Sequence, residues 1–209
     1  MYSHQKATAT GGTPVAQAKQ AMIMLHGRGA SAEGILDFAS SLNLTDTALF
    51  APQATHSSWY PESFMAPAAN NQPALDSALQ VIDELVLDIV AAGIPREEIY
   101  FFGFSQGACL ALEYTTRHAT HYKGIIAFTG GLVGQQLALE NYTGDFAGTP
   151  VLITTSNPDA HVPLKRVKET GGIMEEMGAS MTVIAYPGKP HNISKDEVDL
   201  ANKLFFNKI

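Results

Sequence analysis

The sequence predicts an α/β protein with a mostly parallel central sheet flanked by helices on both faces. Three observations carry this. Several short runs are apolar throughout, as in strands buried on both sides rather than strands with one wet face. Most of these runs are separated by segments with helical periodicity. The chain has 209 residues, 45% of them hydrophobic, which suits a single domain with one large core.

Taken in order, residues 1–18 read as a flexible lead-in, broken by Gly11-Gly12 and Thr13-Pro14, ahead of one domain over 19–209. Residues 21–25 form an apolar strand stopped by His26-Gly27-Arg28-Gly29. A helix starts near Ser31, with Glu33 close behind, and turns Ile35, Leu36 and Phe38 to the core. Residues 48–51 make a second short strand, stopped by Pro52. Residues 52–73 are irregular, holding four prolines and the aromatics Trp59, Tyr60 and Phe64. A connection this long inside a compact domain is functional or disordered. From 74 to 92, Leu75, Ala78, Leu79, Ile82, Leu85, Val86 and Ile89 recur at helical spacing until Gly93. Strands follow at 99–104, 124–129, 150–155 and 181–186. Helices are expected at 106–118, at 164–177 (ended by Gly178) and at 195–206. No internal repeat is present.

The formal charge of -7 would repel a phosphate backbone, so nucleic acid is not an expected partner. Residues 1–10 lack the apolar stretch of a secretory signal. No apolar run approaches the roughly 20 residues that cross a bilayer. A single cysteine, Cys109, leaves no intrachain disulfide. The expectation is a cytoplasmic protein without stable membrane insertion.

In parallel sheets, ligands sit beyond the carboxyl ends of the strands, so chemistry is sought there. After the strand ending at Phe104 comes Gly103-Phe104-Ser105-Gln106-Gly107. This is the G-x-S-x-G pattern of a nucleophile elbow, where small residues let the chain turn sharply and project the serine. The serine then stands at a helix N-terminus, which favours developing negative charge. Cys109 lies four residues on and reads as a small buried apolar residue.

A serine hydroxyl needs a base to take its proton. The elbow resembles that of the α/β-hydrolases, and the resemblance implies the chain order Ser, then Asp or Glu, then His. His161 and His191 are the histidines in the right segment. His191 follows the strand ending near Tyr186; Asp159 follows the strand ending near Thr155, whereas Asp145 precedes it. His161 is only two residues from Asp159, a poor separation for partners on two loops. The expected roles are Ser105 as nucleophile, His191 as general base then acid, and Asp159 orienting the imidazole. The oxygen that becomes negative needs backbone donors, one from Gln106 and one from the loop 26–29.

These pieces resemble the phospholipase/carboxylesterase family, which includes acyl-protein thioesterases: small α/β-hydrolases without a separate cap domain. The matching segments are 25–30, 103–107, 159–163 and 186–191. The resemblance implies Ser105, Asp159 and His191 as a triad and backbone donors at Arg28 and Gln106. The loop 58–64 resembles the bacterial carboxylesterase branch. His56, Trp59, Tyr60, Phe64 and Met65 are expected to line the substrate pocket, and the Arg28 side chain to make a surface salt bridge.

The expected reaction is hydrolysis of a small-molecule ester of short to medium acyl chain, with lysophospholipids and thioesters as further substrates. A homodimer is compatible with this reading. No cofactor is expected, and no metal, since H-E-x-x-H and C-x-x-C are both lacking. Two alternatives stay open: a dienelactone hydrolase-like lactonase, and a non-catalytic hydrolase-fold binding protein.

Overall fold

The computed structural model of the protein describes residues 2–206. Its strands are β1 (Thr8–Gly12), β2 (Gln20–Leu25), β3 (Thr47–Pro52), β4 (Ile99–Phe104), β5 (Gly124–Phe128), β6 (Pro150–Asn157) and β7 (Ser180–Pro187). They form one sheet in the order β1-β3-β2-β4-β5-β6-β7. Every neighbouring pair is parallel except β1 with β3. The helices are α1 (Ala32–Phe38), α2 (Ala74–Ala91), α3 (Gln106–Arg117), α4 (Leu164–Glu176) and α5 (Lys195–Ala201), the last running into a π-helical turn, Asn202–Phe206.

Residues 1–18 were expected to be a flexible lead-in; instead this segment supplies the antiparallel edge strand, in register Thr8 to Pro52 and Gly12 to Ala48. Upstream of it, Tyr2 and His4 are tied to residues 55–59 and to Ser77.

Successive strand residues point to opposite faces, and both faces are apolar. Ala21, Ile23, Leu25, Ile99, Phe101, Ile125 and Ile153 pack beneath α2, α3 and α4. Met22, Met24, Tyr100, Phe102, Ile126 and Leu152 pack beneath α1 and α5. Ser31 caps α1, its hydroxyl accepting the Gly34 N–H at 3.1 Å. Phe38, half-buried, stacks on Phe102 with ring centroids 5.2 Å apart.

The chain leaves β2 toward α1 on one face and leaves the adjacent β4 toward α3 on the other. The crevice between these diverging loops is the topological switch point, where open α/β sheets bind ligands. Among the described residues there is no separate cap domain, and no helix is long and apolar enough to cross a membrane.

Candidate active site

Ser105 sits between β4 and α3 at φ 53°, ψ −119°, a conformation that non-glycine residues rarely adopt. The flanking glycines are steric requirements. A Cβ on Gly103 would lie 2.5 Å from the Gly107 carbonyl oxygen, and one on Gly107 would lie 2.1 Å from that of Leu25. The Ser105 N–H donates to Phe128 O at 2.9 Å, tying the elbow to β5.

Two loops converge on this serine from β6 and β7, the second and third strands along the sheet from β4. The loop after β7 carries His191, whose Nε2 lies 2.9 Å from Ser105 Oγ. Its Nδ1 lies 2.9 Å from Oδ2 of Asp159, on the loop after β6. The other Asp159 oxygen accepts the N–H groups of His161 at 2.8 Å and Val162 at 2.9 Å. Burial alone raises the Asp159 carboxyl, but the His191 hydrogen bond and these two N–H groups outweigh it and hold the carboxyl below its ordinary value. The Asp159 side chain is therefore a satisfied carboxylate, oriented to accept from Nδ1. His161 also lines the cavity, where its ring packs edge-on against His191, centroids 4.9 Å apart.

The loop after β2 closes the other side. A Cβ on Gly27 would stand 3.6 Å from Ser105 Cβ. Gln106 is the first residue of α3, so its N–H has no intrahelical acceptor. Gly27, Arg28, Ser105, Gln106 and His191 share a cavity of about 560 Å³. It runs along α3 to Cys109, one helical turn beyond Ser105.

Of the expected pocket residues, Tyr60 and Phe64 line this cavity, and His56, Trp59 and Met65 do not. Trp59 is fully buried, its indole N–H donating to His26 O at 2.8 Å, its ring tilted against that of His26. The ring of His56 meets Tyr2 edge-on instead. Met65 packs on the main core. Among the described residues the Tyr60 hydroxyl finds no nitrogen or oxygen partner, and it is buried beside the Cys109 thiol. Burial pushes that thiol up to about 12, in line with an inert, apolar Cys109.

Several residues that hold the site carry no signature a sequence reader would pick out. The Gln106 side-chain amide accepts the Trp59 N–H at 3.0 Å and donates to Tyr60 O at 2.8 Å. Among the described residues Arg28 makes no surface salt bridge: its guanidinium donates to the carbonyls of Tyr60, Pro61 and Glu62 at 2.7–2.9 Å. Its planar fork suits such a cluster of acceptors. Arg166, buried on α4, binds the carbonyls of Leu132 and Gly134 in the same way, fixing the β5–β6 loop. That loop braces the aromatic segment in turn, the Gly134 N–H donating to Phe64 O at 2.7 Å.

A serine on a strained strand-to-helix turn, facing an imidazole and a carboxylate from two later strand ends, defines the class of α/β-hydrolases. Residues 12–208 match the phospholipase/carboxylesterase family model. The chain belongs to that family of hydrolases. It is similar to a phospholipase/carboxylesterase from Dyadobacter fermentans, a crystal structure with 57% identity and TM-score 0.98, covering 99% of each chain. A probable carboxylesterase of Oryza sativa is 28% identical over 85% of this chain and 73% of its own length. Acyl-protein thioesterase 1 of Neurospora crassa is 26% identical over 56% of this chain, and this chain spans only about half (48%) of its length.

Proposed function

We propose that the protein hydrolyses carboxylic esters of short to medium acyl chain through an acyl-enzyme on Ser105, with His191 as base and Asp159 as its orienting carboxylate. The observation that carries this is the pair of 2.9 Å contacts joining Ser105 Oγ to His191 Nε2 and His191 Nδ1 to Asp159. In the first half-reaction the Ser105 proton passes to Nε2 as Oγ bonds to the ester carbon. The carbonyl oxygen becomes negative and is met by the backbone N–H groups of Arg28 and Gln106. Collapse breaks the bond to the leaving oxygen, which takes the proton from Nε2. Water then repeats the sequence on the acyl-enzyme and frees the acid.

The cavity that runs one helical turn down α3, walled by Tyr60 and Phe64, supports an acyl chain of modest length. Thioesters and lysophospholipids offer the same electrophile and are further candidates.

The test is hydrolysis of p-nitrophenyl esters from acetate to decanoate by the wild type, Ser105→Ala, His191→Ala and His161→Ala, with fluorophosphonate labelling alongside. Loss on the order of 10⁴–10⁶ in kcat is expected for Ser105→Ala, nearly as much for His191→Ala, and little for His161→Ala. A Ser105→Ala variant retaining a tenth of the wild-type rate, or a wild type that neither turns over esters nor takes the label, overturns the proposal.

A further inference from the structure

His191 stands on a stretch, Gly188 to Ser194, that belongs to neither β7 nor α5. The backbone hydrogen bonds of this stretch, Gly188 N–H to Asn157 O at 3.1 Å, Asn192 N–H to Pro190 O at 2.8 Å and Val198 N–H to Ser194 O at 3.2 Å, do not involve the backbone of His191 itself, so further contacts must set where the imidazole points. The Lys189 ammonium sits at the centre of this loop. Its side chain is only 8% exposed, and its Nζ lies 3.1 Å from Glu197 Oε2, on a side chain with no exposure at all. The ammonium also donates to the carbonyls of Pro190, at 3.3 Å, and of Asn192. Those are the residues on either side of His191. An ammonium has three N–H donors, and here two go to the carbonyls flanking the imidazole and one to a buried carboxylate.

Glu197 is itself anchored. One oxygen accepts the Thr154 hydroxyl of β6 at 2.5 Å; the other accepts the Ser194 N–H at 2.7 Å and its hydroxyl at 2.9 Å, as part of the cap of α5. Ser156 completes the frame. Its hydroxyl lies 2.5 Å from Lys189 O and 3.0 Å from Pro158 O, so it joins the His191 loop to the Asp159 loop.

We propose that Lys189, held by Glu197, is the positioning residue for His191: the loop is wrapped around a buried ammonium, and the wrapping aims the imidazole between Ser105 and Asp159. This rests on His191 being the base. A buried ion pair adds little stability over an apolar pair of similar volume, but leaving one member unpaired is strongly destabilising. Stability and catalysis are therefore separable at this pair. Lys189→Met leaves Glu197 buried without its partner and lowers the melting temperature. Lys189→Met with Glu197→Gln removes both charges and recovers much of that loss. The carbonyls flanking His191 lose the ammonium in both, Pro190 O keeping only the Asn192 N–H, so the imidazole stays misaimed in both.

The experiment compares wild type, Lys189→Met, the double variant Lys189→Met/Glu197→Gln, and Ser156→Ala. Three readouts are taken: melting temperature, kcat and KM on p-nitrophenyl esters, and the far-downfield Nδ1 proton resonance of a histidine bonded to a carboxylate. The expected result is a double variant near wild-type stability whose kcat is down roughly 10- to 100-fold, as for a displacement of the order of an ångström. KM is little changed, and the Nδ1 resonance is weakened or lost. Ser156→Ala loses kcat to a smaller degree with the same signature. A folded double variant with wild-type kcat and an intact resonance overturns the proposal. So does a kcat loss in Lys189→Met that only tracks its unfolded fraction. If Lys189→Met does not fold, the double variant and Ser156→Ala decide. The resonance is read without substrate, so a wild type inactive on esters would sink the catalytic reading and leave the positioning role measurable.

Discussion

The side chain of Gln106 grips the backbone of Trp59. Its Oε1 accepts the Trp59 N–H at 3.0 Å, while its Nε2 donates to the next carbonyl, Tyr60 O, at 2.8 Å. One residue thus lines the cavity, where the proposed mechanism uses its backbone N–H, and holds the cavity wall with its side chain. Gln106→Ala keeps the first role and removes the second. The buried Trp59 N–H then loses its partner, at about 1–3 kcal/mol, whereas Tyr60 O keeps the donors of Arg28 and Ser58. The expected outcome is a melting temperature lower by several degrees and a raised KM, with kcat within a few-fold of wild type. A kcat loss comparable to that of Ser105→Ala would mean the side chain acts in the chemistry itself.

The elbow conformation gives a second prediction. Ser105 at φ 53°, ψ −119° is in a region costing of order 1–3 kcal/mol for a residue with a Cβ. Glycine reaches it freely, at an entropic cost of roughly 0.5–1 kcal/mol. Ser105→Gly is therefore expected to be inactive yet more stable than wild type by about 1 kcal/mol, or roughly 2–4 °C at this chain length. Ser105→Ala, inactive as well, keeps the Cβ and gains none of this. Equal melting temperatures for the two variants would remove the case for strain.

Acidification is expected to loosen the aromatic loop before the sheet. His26 is fully buried, and its Nε2 accepts the Ala54 N–H at 3.2 Å; His4 Nδ1 accepts the Thr55 N–H at 3.0 Å. Burial lowers both imidazoles from the ordinary value. A base lowered in the folded state contributes nothing adverse while it is neutral in both states, above about pH 6.5. Below that, the unfolded chain takes up protons that the folded chain refuses, and stability falls until the lowered folded values are passed. Asp159, held low, acts later in the descent: its contribution is intact above the ordinary carboxyl range and is lost as pH falls through its folded value. Trp59 is the one tryptophan of the sequence and touches His26 directly, so its emission reports this loop. Its spectrum is expected to shift red between pH 7 and pH 5 ahead of the far-ultraviolet dichroism. A shift that His4→Gln leaves unaltered would exclude the N-terminal segment from the effect.

What the sequence made legible was local. Apolar runs, glycine stops and helical periodicity placed β2 to β7 and α1 to α5 nearly where they lie. Ser105, Asp159 and His191, whose side chains meet in the structure, could be singled out because each comes within a few residues of a strand end. The edge strand escaped notice because Thr8-Ala9-Thr10-Gly11-Gly12 has no apolar run; only pairing with β3, some forty residues on, makes it a strand. Arg28 and Gln106 were singled out for their backbone N–H groups, not as clamps. Their side-chain partners are backbone atoms 32 to 47 positions away, and a carbonyl group bears no residue signature. For the aromatic loop, composition told that it mattered, but which ring faces the cavity depends on backbone direction, and there Trp59 and Phe64 part company.

That divergence fixes the last prediction. Phe64 lines the cavity beside Ser105 and Tyr60, whereas Trp59 is sealed behind it, bonded to His26 O. A buried methylene is worth about 0.8 kcal/mol, close to fourfold in kcat/KM for each carbon that the cavity can cover. Phe64→Ala takes away one wall. The gain per carbon is then expected to continue to longer esters or to flatten, with acetate turnover largely preserved. Trp59→Ala removes a large side chain from the core, at about 3–5 kcal/mol. It is expected to lower the melting temperature and to depress kcat/KM by a similar factor at every chain length. Steady-state kinetics on the graded p-nitrophenyl series, run well below both melting temperatures, separates the two. If Trp59→Ala reshapes the chain-length profile while Phe64→Ala only destabilises, the acyl chain lies on the other side of the loop and the cavity along α3 holds the leaving group instead.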